Sequence, residues 1–375
     1  MKKLQMVDLN SQYEKIKDQV DAAVLGVIGS STFINGPEVK KFQEDLENYL
    51  QVKHVIPCAN GTDALQLAMM GLGLEQGDEV ITVDFTFAAT VEVIALLKLT
   101  PVLIDVEEAT FTMDIEALKK AITPKTKAIV PVHLFGQCAN MEAILEIAKE
   151  FNLFVIEDAA QAIGADFTFS DGGVKKAGTM GNVGTTSFFP SKNLGCYGDG
   201  GALFTNDDEL AHTIRGMVNH GMYTKYYHDV LGVNSRLDSL QAAVLRIKLP
   251  LLDGYCAARK KAAEYYNAGF SASTYVSTPT ISEYSTHVFH QYTLQLIGAD
   301  RDALHEHLKK NNIPNAIYYP VPLHRQKAYA DDRFIEDDFK VTNELVKSVI
   351  SLPMHTELET EQQDLIINTI LDFLK

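Results

Sequence analysis

Between residues 54 and 205 the apolar positions fall into short blocks separated by longer amphipathic stretches. His54–Pro57, Glu79–Val83, Pro101–Val106, Ala128–His133 and Phe154–Glu157 read as strands. Ala88–Leu97, Asp114–Ala121 and Met141–Phe151 carry a helical period, and another helix is expected after the glycine turn at Gly61. Strands alternating with helices predict an α/β fold with a mostly parallel sheet covered on both faces. Thr186–Phe189 and Gly201–Phe204 are expected to extend that sheet.

Near Asp238 the pattern changes. Ser239–Leu252 reads as a helix interrupted at Pro250, followed by a helical stretch at Ala257–Ala268. Then come a strand at His290–Leu296, a helix at Arg301–Asn311, a short strand at Ile317–Val321 and a terminal helix at Glu361–Leu374. This predicts a large domain over residues 1–250 and a smaller α/β domain over 251–375. At the other end, a helix at about Gln12–Ile28 and a Gly36-Pro37 turn lead into Glu38–Leu50. That opening segment is expected to pack on the smaller domain or on a partner subunit.

The composition narrows the function. Of 375 residues 46% are hydrophobic, enough for a large core. Lysine and arginine number 33 against 49 acidic residues, a net charge of −16. With no basic cluster, nucleic-acid binding is disfavoured, and a phosphate-bearing ligand must be held locally by backbone amides and a few polar side chains. Cys58, Cys138, Cys196 and Cys256 form no Cys-x-x-Cys pair; free thiols in a reducing compartment are expected, with no metal site. The N-terminus shows no signal-peptide pattern, and the apolar stretch Ala88–Leu99 contains Glu92 and is too short to span a bilayer. The expectation is a soluble, cytoplasmic protein without membrane partners.

The chemistry centres on Lys192. In Thr185-Thr186-Ser187-Phe188-Phe189-Pro190-Ser191-Lys192-Asn193-Leu194-Gly195-Cys196-Tyr197-Gly198-Asp199-Gly200-Gly201 an apolar run ends in a proline, and a single lysine sits on the glycine-rich loop beyond it. A neutral lysine amine placed there can form a Schiff base with a carbonyl. Upstream, Phe154-Val155-Ile156-Glu157-Asp158-Ala159-Ala160-Gln161 is a strand that ends in a carboxylate. A Schiff-base lysine with an acid for a pyridinium nitrogen marks pyridoxal phosphate chemistry. Asp158 is the expected ring-nitrogen partner and Gln161 the partner for the ring's hydroxyl edge; Glu157 points to the opposite face.

Other candidates surround this pair. In Cys58-Ala59-Asn60-Gly61-Thr62-Asp63-Ala64-Leu65 a strand, a glycine turn and a helix start follow one another. A helix N-terminus there suits a phosphate, with Gly61 admitting the backbone and Thr62 donating; an ordinary cap formed by Thr62 is the plain alternative. Ser187 is a second hydroxyl for phosphate. Phe87, in Asp84-Phe85-Thr86-Phe87, can stack on an aromatic ring or fill the core. His133 suits a cofactor wall or a structural role equally. In Gly232-Val233-Asn234-Ser235-Arg236-Leu237-Asp238, Asn234 can donate to phosphate and Arg236 can pair with a carboxylate or phosphate; a loop capping the next helix, through Ser235 or Asp238, is the alternative. The run Gly195-x-x-Gly198-x-Gly200-Gly201 precedes a strand, not a helix, so it is no dinucleotide fingerprint, and no P-loop is present.

As a set, Asn60-Gly61-Thr62-Asp63-Ala64-Leu65, Glu157-Asp158-Ala159-Ala160-Gln161 and Ser187–Gly201 resemble the DegT/DnrJ/EryC1/StrS family of sugar aminotransferases. The likeness runs from Phe33-Ile34-Asn35-Gly36-Pro37-Glu38 to Ser351-Leu352-Pro353-Met354-His355. It implies fold type I of the pyridoxal phosphate-dependent transferases, with a mostly parallel seven-stranded sheet and a smaller C-terminal domain. It also implies a homodimer with shared active sites, with Asn234 reaching over from the partner. Lys192 would hold the cofactor and shuttle protons, Asp158 and Gln161 would address its ring and Phe87 would stack on it. Gly61, Thr62 and Ser187 would hold its phosphate.

Within the family, the Phe188–Gly201 stretch is very similar to that of aminotransferases for UDP-2-acetamido-2-deoxy-3-oxo-glucuronate. The resemblance implies transfer of an amino group from an amino acid, glutamate, to a nucleotide-linked ketosugar for surface polysaccharide. Arg236, Tyr318 and Tyr319 are then the substrate-side candidates, Arg236 for a sugar carboxylate. Those relatives read His-Tyr-Pro where this chain reads Tyr318-Tyr319-Pro320; Tyr318 keeps one donor but is never cationic near neutral pH. Another UDP- or dTDP-linked 3-keto or 4-keto sugar is the enzymatic alternative. A dehydratase on the same fold is disfavoured, because such members carry histidine in place of the lysine. A non-catalytic cofactor-binding regulator is the alternative of a different kind; no appended DNA-binding region is visible.

Overall fold

The structure, a computed structural model, describes residues 2–375. It opens with α1 (Leu9–Ser30) and α2 (Pro37–Leu50). There follow β1 (His54–Cys58), α3 (Gly61–Gly71), β2 (Glu79–Val83), α4 (Ala89–Leu96), β3 (Thr100–Ile104), α5 (Ile115–Ala121), β4 (Thr126–Val130), α6 (Met141–Phe151) and β5 (Phe154–Asp158). A ribbon of β6 (Asp166–Thr168) and β7 (Val174–Lys176) precedes β8 (Val183–Ser187), β9 (Gly201–Thr205) and α7 (Asp208–Met217). A hairpin, β10 (Met222–Thr224) and β11 (Tyr227–His228), leads to α8 (Ser239–Lys248) and α9 (Leu252–Phe270). The chain ends with β12 (Val276–Ser277), β13 (Tyr292–Leu296), α10 (Arg301–Lys310), α11 (Lys340–Ser348), β14 (Val349–Leu352) and α12 (Thr360–Phe373).

Seven strands form the main sheet in the order β1-β9-β8-β5-β4-β2-β3, and β9 alone runs against the rest. Both faces are covered, as near-continuous apolar strands require. Ile81, Val83, Ile129 and Val155 face a cluster with Leu118 of α5 and Ile144 of α6. Their neighbours Val80, Ala128, Val130 and Ile156 face another with Leu67 of α3, Ile94 of α4 and Ile214 of α7. Successive residues on a strand point to opposite faces, so each short run serves two cores. At ~1.5–3 kcal/mol per fully buried aliphatic side chain, these layers hold the strand ends firmly. A third core joins β12, β13 and β14 to α9, α10 and α12, and Leu4 inserts into it.

Several expectations are corrected. Ile317–Val321 forms no strand: Pro320 and Pro322 lack the amide a ladder needs, and near this stretch only Ala316 pairs, with Ser351. The strand expected at Thr186–Phe189 lies at Val183–Ser187. Gly184 hides it in the sequence, yet a Cβ there would sit 1.9 Å from the Gly178 carbonyl oxygen. Pro250 lies in a single 3-10 turn, Leu249–Leu251, that joins α8 to α9. The pattern announces neither α7 nor the pair α11 and β14. Ile16 and Val20 of α1 pack on Val244 of α8, so that helix rests on α8; the residues before it, through Leu4, reach the C-terminal core.

Candidate active site

Six strands of the main sheet point the same way, so their carboxyl ends share one edge, where open α/β sheets collect ligands. A cleft of about 930 Å³ opens there.

One corner is built at the start of α3. Asn60, not Thr62, is the cap: its side-chain oxygen accepts from Asp63 N at 2.8 Å, and its carbonyl accepts from Ala64 N at 3.1 Å. The amides of Gly61 and Thr62 have no protein acceptor among the described residues, and both residues line the cleft with Ser187. The first amides of a helix are orphan donors at its positive end. Gly61 is required by crowding, since a Cβ there would lie 2.7 Å from Ser187 Cβ.

Asp158 ends β5 and is buried, its carboxylate lining the cleft. Its Oδ2 accepts from Thr90 Oγ1 at 2.8 Å and its Oδ1 from Ala160 N at 3.2 Å. Glu157 does point the other way: it accepts from the amides of Gly178, Met180 and Gly181 at 2.8, 2.6 and 2.6 Å. His133 joins that network, with Nε2 2.9 Å from Glu157 and Nδ1 accepting from Ala139 N. It is structural, and Val132 lines the cleft instead.

Lys192 faces the same cleft as Asp158. Its loop is fixed from within: Lys192 N donates to Phe189 O and Cys196 N to Phe188 O, both at 2.8 Å. From behind, the buried Lys248 donates its Nζ to Gly195 O at 2.6 Å and lies 5.3 Å from the Tyr197 ring centre. Burial pushes the Lys192 amine down to about 8, with the Asp158 charge opposing. Desolvation disfavours the ammonium, so a useful neutral fraction exists near physiological pH.

Gln161 accepts from Phe135 N at 2.9 Å and donates to the Tyr319 hydroxyl at 3.2 Å. Burial raises Tyr319 far above its ordinary pKa, so its proton stays available to a ligand. Phe87 lies 6.3 Å from the Tyr319 ring and is 57% exposed, which argues against core packing. Tyr318 completes that side of the cleft, half-buried.

The cleft does not include Asn234 or Arg236 of its own chain. Asn234 is exposed and bridges to Asn219, whose side-chain oxygen accepts from Arg236 at 3.2 Å. Ser235 accepts from Ala59 N at 3.1 Å, tying this segment to the strand before α3; Asp238 stands at the cap position of α8 without a side-chain cap bond. Two residues at or behind the cleft wall escape sequence reasoning. Thr90 lies inside an apolar helical run, and its bond to Asp158 spans 68 residues. His290 is buried in the cleft wall and kept uncharged by burial and by the nearby Lys192 and Arg259; nothing in its local sequence marks it.

The donor set fits a planar carbonyl cofactor bearing a phosphate. Free amides and two hydroxyls would suit a dianion, an exposed phenyl a ring face, a deep carboxylate a ring nitrogen, and an amine the carbonyl. No grouping of His, Cys, Asp and Glu suited to a metal occurs among the described residues, and none of their helices is long and apolar enough to cross a membrane.

Residues 14–371 match the DegT/DnrJ/EryC1/StrS aminotransferase family. A "pleiotropic regulatory protein" of Geobacillus stearothermophilus is 45% identical over 99% of this chain and 98% of its own. The UDP-2-acetamido-2-deoxy-3-oxo-D-glucuronate aminotransferase of Pseudomonas aeruginosa is 44% identical over 95% of this chain and 96% of its own. The crystal structure of S. venezuelae DesV in complex with a ketimine intermediate superposes with a TM-score of 0.95 at 37% identity, over 100% of this chain and 99% of that one.

Proposed function

The chain belongs to the DegT/DnrJ/EryC1/StrS aminotransferase family, and we propose that its substrates are glutamate and UDP-2-acetamido-2-deoxy-3-oxo-glucuronate. It is a sugar aminotransferase, and its cofactor is pyridoxal phosphate. The observation that carries the reading is that Lys192 and Asp158 face one cleft beside the free amides of α3.

Pyridoxal phosphate, when bound, supplies an electron sink for the carbon that loses or gains a proton. Gly61 and Thr62 amides, with the Thr62 and Ser187 hydroxyls, hold its phosphate. Asp158 keeps its ring nitrogen protonated, and Thr90 keeps Asp158 aimed. Phe87 covers one face, and Gln161 holds the hydroxyl edge while steadying Tyr319. Lys192 Nζ takes the proton from Cα of the amino donor and, in the second half, delivers one to the sugar carbon that receives nitrogen. One positioned amine serves both steps as general base and acid.

The ligands are polyanionic, while among the described residues Lys192 is the only lysine or arginine lining the cleft. This supports a homodimer in which Asn234 and Arg236 enter from a second copy, Arg236 meeting the sugar carboxylate and Tyr318 and Tyr319 its ring. We place the enzyme in the cytoplasm, which suits its unpaired cysteines, and divide it near residue 250 into cofactor-binding and smaller domains. Surface polysaccharide is the proposed destination of the product.

The name of the Geobacillus relative favours a second reading, a cofactor-binding regulator. One assay separates the two. Glutamate should bleach the visible absorbance of the cofactor bound to Lys192, and added ketosugar should restore it over many turnovers with 2-oxoglutarate accumulating. A regulator gives no repeated turnover. A panel of UDP- and dTDP-amino sugars run in reverse then identifies the sugar, and preference for a neutral sugar would overturn the uronate assignment.

A further inference from the structure

Asp84 follows β2 and is fully buried without contacting the cleft. Its Oδ1 accepts from His324 N at 2.7 Å, its Oδ2 lies 2.7 Å from His324 Nδ1, and its carbonyl accepts from Leu323 N at 3.3 Å. The other imidazole nitrogen, Nε2, lies 3.2 Å from Glu336 Oε2, and Glu336 also pairs with Arg325. Phe339 stacks on the imidazole at 4.3 Å and 10°. One strand over, Asp105 accepts from Val341 N, Thr342 N and Thr342 Oγ1 at 2.8, 2.9 and 2.7 Å. Carboxylates beyond two adjacent strand ends thus fasten residues 323–342 across the sheet edge.

The fastened segment continues the wall that begins at Tyr318 and Tyr319: Pro320, Val321, Leu323 and Gln326 line the cleft. It includes none of the residues that would hold the cofactor. Asp84 is also tied to the sheet by its amide, which donates to Ile104 O at 2.9 Å, a bond that does not involve His324. The 318–326 wall has no such ladder. A carboxylate oxygen lies within hydrogen-bonding distance of each ring nitrogen, and hydrogen bonds to a carboxylate are stronger than neutral ones.

We propose that His324 is a positioning residue for the ketosugar: clasped between Asp84 and Glu336, it fixes the wall against which the sugar lies. The inference rests on the aminotransferase reading of this cleft. It is tested with holoenzyme by following the glutamate half-reaction and the ketosugar half-reaction separately, using glutamate and UDP-2-acetamido-2-deoxy-3-oxo-glucuronate as probes. His324→Leu should raise the apparent KM for the sugar about ten-fold more than that for glutamate, the effect of losing one charge-assisted bond. His324→Gln, which keeps one donor, should recover most of the loss. Equal effects on both halves, or no change in the sugar's KM, overturn the proposal. If His324→Leu yields no folded holoenzyme, Glu336→Gln at the exposed end decides: a rise of about three-fold in the sugar's KM is expected, and no rise overturns the proposal. Failure of the unmodified enzyme to bleach with glutamate refutes the aminotransferase reading instead, a different outcome.

Discussion

Where Asp158, Ser187 and Gly61 line the cleft, each residue sits at a strand end or in the first turn of a helix. Across from them, residues 317–326 belong to no strand, and a single 3-10 turn, Leu323–Arg325, is their regular structure. The first side is aimed by the sheet; the second is held by contacts spanning 240 residues, such as His324 to Asp84. Chemistry that must not vary sits on the rigid side. In the proposed reading, recognition of the sugar falls to the side that loop changes can reshape.

Experiments that break one side and spare the other sharpen this contrast. The largest effect is expected for Lys192→Ala, which should abolish the half-reaction with glutamate while the circular dichroism spectrum stays that of a folded protein; transamination in that variant would refute the assignment. Asp158→Asn should slow proton abstraction about a hundred-fold or more, within the range for a positioned acid–base system, while cofactor affinity falls far less. Single-turnover kinetics and cofactor titration read the two, and an unchanged rate would show that ring protonation is not its task. On the recognition side, Arg236→Ala should lower kcat/KM for the uronate about ten-fold and spare a neutral ketosugar; equal losses would mean that Arg236 does not read the carboxylate. Gly61→Ala, forced against Ser187, should weaken cofactor binding by about ten-fold, measured by equilibrium dialysis.

The smallest expected effect is a pH profile. Because burial lowers the Lys192 amine to about 8, its neutral form predominates above that value. Reconstitution of the apoenzyme with pyridoxal phosphate should therefore accelerate with rising pH and level off just above 8. A rate still climbing at pH 10 would indicate an amine with an ordinary pKa near 10.4.

The same contrast governs what could be read from the chain. Glu79–Val83 and Met141–Phe151 have the bounds their periodicity predicts, since burial on both sides of a parallel sheet leaves unbroken apolar runs. Asp158 and the Asn60–Leu65 turn were visible because each sits at a strand end or helix start, and Lys192 because proline and glycines punctuate its loop. Thr90, His290 and the His324 clasp were not, because a hydroxyl in an apolar helix or a histidine in a loop gains meaning only from a distant partner. The expected strand at Ile317–Val321 failed for a related reason: its tyrosines and valine look β-like, while Pro320, the following Pro322 and the clasp decide its path.

Lys248 has a consequence for anyone who would transplant this chemistry. The stretch from Ser187 to Gly201 looks portable, a self-contained cassette with its own lysine and glycines. Yet the ammonium that braces its Gly195 carbonyl comes from the last residue of α8, 53 positions away. A graft of the cassette alone would leave that carbonyl loose, so a working chimera would have to import position 248, and the greasy sleeve that dehydrates it, together with the loop.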